Sequence, residues 1–377
     1  MAMNWPSGIS SGAISSGIKP SGKLDLGLLV ATDSVSWAGT FTRNAAAAAC
    51  VDWSRERLGR PVRAIVANSG NANACTGEQG RKAVLATAEA AAERIGCSVD
   101  EILVASTGPI GVQLPVDKVI GSLPGIEVTP DVTAFSQSIM TTDTVAKVST
   151  SSAGDATVVG VAKGAAMCRP DMATMLAFMA TDADVTPALL QDVLGGAVDK
   201  TFNRLSLDGC ESTNDSVFLL ATGTKAVDPD SFTAAVTKVC ADLALEIVRD
   251  SEGGHRVVRI QVAGATDEDT AATMGRAIAD SALWRASVYG ADPNWGRILS
   301  ALGTASRSLD VADVTVAIGS ELLFDNGEPC GSLEAAAKEM EADAFTVYCT
   351  VGSGSGEAEV LSADLSPEYV TLNSEGT

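Results

Sequence analysis

The segment KGAAMCRPDMATMLAFMATDA, residues 163 to 183, puts a threonine hydroxyl where it could act as a nucleophile. Pro170 and Asp171 favour a turn, and from Thr174 a continuous apolar run reads as a buried strand. A hydroxyl at the mouth of such a strand, preceded by the small Ala173, is the arrangement in which an internal acyl shift could break the chain. The cut would leave Thr174 with a free α-amine, of pKa near ~8, beside its own side-chain oxygen. That amine can take the hydroxyl proton at neutral pH without a histidine. A Thr that opens a strand is also an ordinary packing residue, and the pattern alone leaves both readings open.

Other chemistries find few residues to use. His255 is the single histidine, and no His-Glu-x-x-His or Walker phosphate loop occurs. There is no Gly-x-Ser-x-Gly nucleophile elbow between a strand and a helix, so a serine triad would have to be assembled around His255 alone. The eight cysteines, at 50, 75, 97, 168, 210, 240, 330 and 349, contain no Cys-x-x-Cys pair and none stands near His255, which argues against a metal site. GSGSG at 352 to 356 lies between two strand patterns and reads as a turn.

A net charge of −21, from 47 acidic and 26 basic residues, disfavours nucleic acid and anionic membrane surfaces as partners. No run approaches the ~20 apolar residues of a membrane span. The start, MAMNWPSGISSGAISSG, has neither the basic cap nor the apolar core of a signal peptide, which predicts a cytoplasmic protein with reduced thiols.

The elements that must position Thr174 follow from hydrophobic periodicity. At 377 residues the chain exceeds one ordinary core, so two lobes or interleaved subdomains are expected. The first 24 residues, dense in Ser, Gly and Pro, read as an irregular lead-in. Strands are predicted at 27–33, 62–68, 101–107, 146–150, 156–162, 174–180 and 216–222, with helices near 79–96 and 186–199. A long helix opened by Asp230 or Ser231 stops around Gly253 and Gly254. Beyond it the pattern gives a strand (257–263), a helix (268–289), a strand (313–318), a helix (332–342) and two strands (345–351, 357–363). This closing order is similar to a split β-α-β unit.

Lys163-Gly164 through Met172-Ala173-Thr174-Met175-Leu176 closely resembles the self-cleavage motif of the ornithine acetyltransferases, also called glutamate N-acetyltransferases. The resemblance covers nearly the whole chain, through NSGNANACTG (68–77), ASTGPIG (105–111), IMTTDT (139–144), LDGCESTND (207–215), GADPNWGRI (290–298) and an Asn at 373. It implies an α/β fold, an αββα-type sandwich like that of N-terminal-nucleophile acetyltransferases. It implies cleavage between Ala173 and Thr174 into intertwined pieces, 1–173 and 174–377, with a smaller lobe at about 257–377. Pairs of such heterodimers are expected. Thr174 would attack an acylated amino acid, and a second amino acid would take the acyl group from acyl-Thr174 in a ping-pong cycle. Arginine biosynthesis from N-acetylornithine and glutamate is the implied setting, without a cofactor, although acetyl-CoA is an alternative donor.

The same resemblance assigns further roles. Thr107 and Gly108 match the oxyanion pair, Lys163 a substrate-side lysine, Glu252 a substrate-contacting glutamate, and Asn373 and Thr377 substrate-side residues of the tail. Asn214 and Asp215 read as buried network residues, and DPNWGR as a structural turn. The chain departs from the family at Ser251 and at Gly254-His255-Arg256, where the family usually continues Ala-Thr-Lys. His255 thereby becomes a candidate substrate contact. The tail lacks the family's tyrosine around Gly376. These departures leave room for a related acylated amino acid as substrate. They also leave room for a hydrolase of the N-terminal-Thr amidase or aminopeptidase kind, in which water resolves the acyl enzyme, and for a processed but inactive scaffold.

Overall fold

The computed structural model describes residues 3–167 and 175–374, which form two compact units. The first unit holds residues 3–165, 175–203 and 211–247; the second holds 166–167, 204–210 and 248–374.

In chain order, the first unit runs β1 (Ile9–Ile14), β2 (Leu26–Phe41), α1 (Ala49–Arg55), β3 (Val62–Ser69), α2 (Gly77–Ile95), β4 (Ile102–Thr107), α3 (Val116–Ser122), α4 (Thr133–Ser138), β5 (Lys147–Ala153), β6 (Ala156–Lys163), β7 (Leu176–Asp184), α5 (Pro187–Lys200), β8 (Ser216–Ala226) and α6 (Pro229–Arg249). The strand order is β4-β3-β2-β8-β7-β6-β5, with β1 added along β2. β2 serves both halves of this sheet. Its first part pairs with β1 and β3; after a register shift between Val30 and Val35, Ser36–Phe41 pair with β8. Thr32, Asp33 and Ser34, at the shift, are exposed, as expected where a bulge bends a strand.

Alternating side chains divide the layers. Trp37, Phe135, Phe178 and Phe218 lie in the core shared by both halves; Phe135 meets Phe178 edge-on at 5.0 Å, and Phe178 stacks on Phe218 at 5.4 Å. On one outer face, Leu28, Val66 and Val104 meet the small residues Ala83, Ala88 and Ala91 of α2. On the other, α6 comes so close that a Cβ on Gly160 of β6 would lie 2.7 Å from Val239 Cγ1. The result is the helix-sheet-sheet-helix sandwich expected from the family resemblance. β8 and β7, which follow residue 174, lie between β2 and β6, which precede it.

The second unit contains β9 (Val257–Ala265), α7 (Glu268–Ala279), α8 (Ala282–Tyr289), α9 (Trp295–Ala305), β10 (Thr315–Ile318), β11 (Glu321–Asp325), β12 (Glu328–Pro329), α10 (Leu333–Met340), β13 (Ala344–Thr350), β14 (Gly356–Ala363) and α11 (Pro367–Ser374). Its six strands are ordered β12-β11-β10-β13-β9-β14. β9 and β13 are parallel neighbours, so no third strand splits that pair; β9 instead separates β13 from β14. The GSGSG turn must therefore cross the end of β9. A Cβ on Gly354 would meet the Ala265 carbonyl oxygen at 2.0 Å, and one on Gly356 would meet Asp267 at 2.2 Å.

Several expectations are corrected. The lead-in is ordered: β1 lies in it, Trp5 is buried, and the Asp25 carboxylate accepts from the backbone N–H of Ser16 and of Lys19, so polar residues are held by hydrogen bonds that hydrophobic patterning does not register. The helix at 268–289 is two helices, because Ser281 starts a new one by accepting from the Trp284 N–H. Asp228, not Asp230 or Ser231, accepts from the Ser231 N–H at the start of α6. DPNWGR is only partly a turn, since α9 begins at Trp295 within it.

Candidate functional site

Thr107 closes β4, and Gly108 turns the chain away from it. The Asn71 N–H donates to the Thr107 carbonyl at 3.0 Å, which brings the 70–71 backbone against this corner. A Cβ on Gly108 would lie 2.4 Å from Asn71 N, and its φ of +139° is left-handed, so only glycine fits. The asparagines of NSGNANACTG hold the corner from behind. Asn68 Oδ1 accepts from Ser106 Oγ at 2.7 Å, and its Nδ2 donates to the Asn71 carbonyl at 2.9 Å. Asn71 Oδ1 accepts from the Asn73 N–H at 2.8 Å. Buried amides that use both ends in this way fix a backbone firmly, as preorganised oxyanion donors require.

Lys163 ends β6 and is buried, in register with Leu176 at the start of β7. Leu176 is in turn in register with Ser216 at the start of β8. Behind Lys163 sits Asp143, whose Oδ1 accepts from Lys147 Nζ and from the Gly164 N–H, each at 2.7 Å. Burial alone would raise the Asp143 carboxyl, but the charges of Lys163 and Lys147 and the Gly164 N–H overcome it and hold its pKa at about 2. Lys19 approaches the same cluster. Burial, opposed by Asp25 and Asp143 and reinforced by Lys163, lowers its pKa to about 8, and its ammonium donates to the Leu24 and Met140 carbonyls.

Asn214 and Asp215 join these parts. Asn214 Nδ2 donates to the Ser106 carbonyl at 2.9 Å and to the Ala72 carbonyl at 2.7 Å. The next residue, Asp215, accepts from the Met175 N–H through Oδ1 at 2.9 Å. Two consecutive side chains thus tie the residue before Thr107 to the residue after Thr174. Ala173 and Thr174 themselves lie outside the described residues. Cysteine chemistry has little support at this place: burial pushes the nearby Cys50 thiol up to about 11.

The second unit carries the other candidates. Asn373 Nδ2 donates to Glu252 Oε2 at 2.8 Å and to the Tyr369 carbonyl at 2.9 Å, so these two are brought together. Thr377 lies outside the described residues. His255 faces the buried Asp364: its backbone N–H donates to Oδ1 at 2.6 Å, and its ring Nδ1 lies 3.1 Å from Oδ2. Among the described residues no serine hydroxyl is hydrogen-bonded to that imidazole, so a triad around His255 is not formed there. Groups of three or more His, Cys, Asp or Glu able to hold a metal are likewise absent among the described residues.

Sequence reasoning overlooked Asp143, Lys147 and Lys19 and undervalued Asp215. Asp143 did carry a signal, an acidic residue within IMTTDT a short way before Lys163. The Lys19 signal, a charge within a supposedly irregular lead-in, was discounted with its surroundings.

Residues 10–377 match the model of the ArgJ family. The arginine biosynthesis bifunctional protein ArgJ of Thermus thermophilus is 42% identical over 376 residues, covering 99% of this chain and 99% of its own. The protein of the same name from Gloeobacter violaceus is 39% identical over 391 residues, covering 98% and 96%. Among solved structures, that of the arginine biosynthesis bifunctional protein argJ from Bacillus halodurans is 32% identical, with a TM-score of 0.50, and covers 52% of this chain and 96% of that one.

Proposed function

Because this chain belongs to the ArgJ family, we propose that it is an acetyltransferase of arginine biosynthesis that moves an acetyl group from N-acetylornithine to glutamate through acyl-Thr174. The observation that carries the reading is the Asn214–Asp215 tie, which connects the Thr107–Gly108 corner to Met175, one residue from the nucleophile. An acyl transfer by Thr174 needs oxyanion donors close to it, and the tie supplies a physical reason for the two to be neighbours. Cleavage between Ala173 and Thr174 would first release the α-amine that serves as base.

In this reading the backbone at Thr107 and Gly108 stabilises the tetrahedral oxyanion of both half-reactions. Lys163 would pair with a substrate carboxylate, and Glu252, Asn373 and His255 are the further residues proposed to contact an amino-acid substrate. Glu252 suits an ammonium group, and its bond to Asn373 orients it. The pieces would stay together and pair as a dimer of heterodimers. The size of the larger piece is close to that of the Bacillus halodurans chain, which is matched over 96% of its length yet accounts for 52% of this one. The hydrolytic alternative is weaker, since relatives that match from end to end are biosynthetic proteins.

The test is an intact mass of the denatured protein beside Thr174→Ala, with turnover measured on N-acetylornithine and glutamate. The expected result is two pieces of 173 and 204 residues for the wild type, one chain for the variant, and acceptor-dependent N-acetylglutamate in a ping-pong pattern. An unbroken wild-type chain, or acetate released without an acceptor, overturns it.

A further inference from the structure

Two ammonium groups of the first unit, those of Lys19 and Lys163, lack a carboxylate of their own. The acids within reach are already engaged. Asp25 Oδ1 accepts from the backbone N–H and the hydroxyl of Ser16, at 2.6 and 2.8 Å, and its Oδ2 accepts from the Lys19 backbone N–H at 2.9 Å. Asp143 Oδ1 accepts from Lys147 Nζ and the Gly164 N–H, and its Oδ2 accepts from the Thr141 N–H at 2.9 Å. Among the described residues, neither the Lys163 ammonium, on a residue only 2% exposed, nor that of Lys19 forms an ion pair. Lys19 Nζ donates to the Leu24 and Met140 carbonyls at 2.9 and 2.7 Å, which uses two of its three protons. Buried cations are ordinarily paired, so the remaining proton of Lys19 and the ammonium of Lys163 call for an anion.

Lys19 is held against the Thr107–Gly108 corner. Asp25, besides gripping residues 16 and 19 through its side chain, accepts from the Ser69 N–H through its carbonyl at 2.9 Å. A Cβ on Gly70 would lie 2.8 Å from Lys19 Cγ, and a Cβ on Gly108 would lie 2.6 Å from the Gly70 carbonyl carbon. Gly70 alone therefore separates the lysine stem from Gly108. At its far end the Lys19 ammonium holds Met140, in the loop that carries Asp143, and its charge and that of Lys163 act on each other. Lys19 is only partly buried, so a small solute can reach it from solvent.

We propose that Lys19 is a substrate-binding residue, a second ammonium that joins Lys163 in receiving the carboxylate of the acyl amino acid donor. The inference rests on the acyl transfer proposed for this chain and adds the residue that selects a charged acid. A carboxylate offers two oxygens, so it can accept from two ammonium groups at once. The pair also discriminates, because a donor whose acid is capped as an amide brings no charge to groups that were left without one.

Initial rates with glutamate as acceptor compare N-acetylornithine with its carboxamide, a donor of the same shape without the negative charge. Lys19→Met keeps an apolar stem against Gly70 and removes the ammonium. The expected result is a fall of about 10- to 100-fold in kcat/KM for N-acetylornithine, carried mainly by KM, with the carboxamide changed less than about twofold. A structural clip between Leu24 and Met140 would cost both donors alike, so an equal loss, or none, overturns the inference. Should the variant not fold, the wild type decides through pH. Burial, with Lys163 and Lys23 and against Asp25 and Asp143, lowers the Lys19 ammonium to about 8. Preference for the charged donor should therefore fall as pH rises from about 7 to about 9, while the α-amine of Thr174, which titrates in the same range, serves both donors equally. A constant preference overturns the inference. Failure of the proposed function is distinct: a wild type that transfers no acetyl group refutes that function, and calorimetric titration with the same two compounds then decides, equal affinities overturning the role of Lys19.

Discussion

Asp143 shows how much one buried carboxylate can organise. Two lysines and a backbone N–H depend on it, and its side chain is fully buried with that of Lys147. Asp143→Asn leaves both ammonium groups without their counter-charge, and removing one partner of a buried pair costs about 3–5 kcal/mol. The folded pKa, about 2, is below the ordinary 3.8. The carboxylate's stabilisation is therefore present above the ordinary value and lost as pH falls from there toward 2. In a Thr174→Ala background, which should keep the chain whole, urea unfolding should show the full deficit of Asp143→Asn at pH 7 and a shrinking one in acid. A deficit independent of pH would refute the assignment. The same residue shows why part of the site stayed hidden in the sequence. Thr107, Gly108 and Lys163 stand in motifs that the family resemblance picks out, whereas Asp143 and Asp215 acquire meaning only once distant strands meet.

Among the elements, those defined by side-chain periodicity were the most legible. β3, β4, β6, β8 and α2 fall within a few residues of their predicted spans, because continuous apolar runs and small-residue faces leave few alternatives. β1 and the break between α7 and α8 were not legible, since Asp25 and Ser281 act through hydrogen bonds that carry no period. GSGSG was read as a turn, but its glycines answer to a tertiary demand, the passage over the end of β9. Gly354→Ala should accordingly destabilise the protein by on the order of 2 kcal/mol or more, while Gly196→Ala, in α5 with open space around it, should stabilise by ~0.5–1 kcal/mol. Thermal melts of the two variants check both signs, and a harmless Gly354→Ala would contradict the crossing.

Over the whole molecule, the −21 charge repels anionic partners, so a polyanionic acyl-CoA donor would approach against the field far more than singly charged glutamate, and zwitterionic N-acetylornithine would not. The order of the large sheet has a stronger effect. With the proposed break at residue 174, β7 and β8 would belong to the second piece, yet they are hydrogen-bonded between β6 and β2 of the first. The pieces should co-elute as one species under native conditions and part only in denaturant, as size exclusion followed by mass analysis would show. Separation in plain buffer would count against the interleaving.

That interleaving also sets a timetable. Under the proposed cleavage, all of β8 has still to be made when residue 174 leaves the ribosome, so scission would have to wait for a finished sheet. Two halves encoded by separate genes would face the opposite difficulty. The first alone would have to keep open a slot two strands wide, ~10–15 Å between β2 and β6, lined with unsatisfied backbone and Phe and Val side chains. One continuous message, cut late as proposed, would avoid ever exposing that slot.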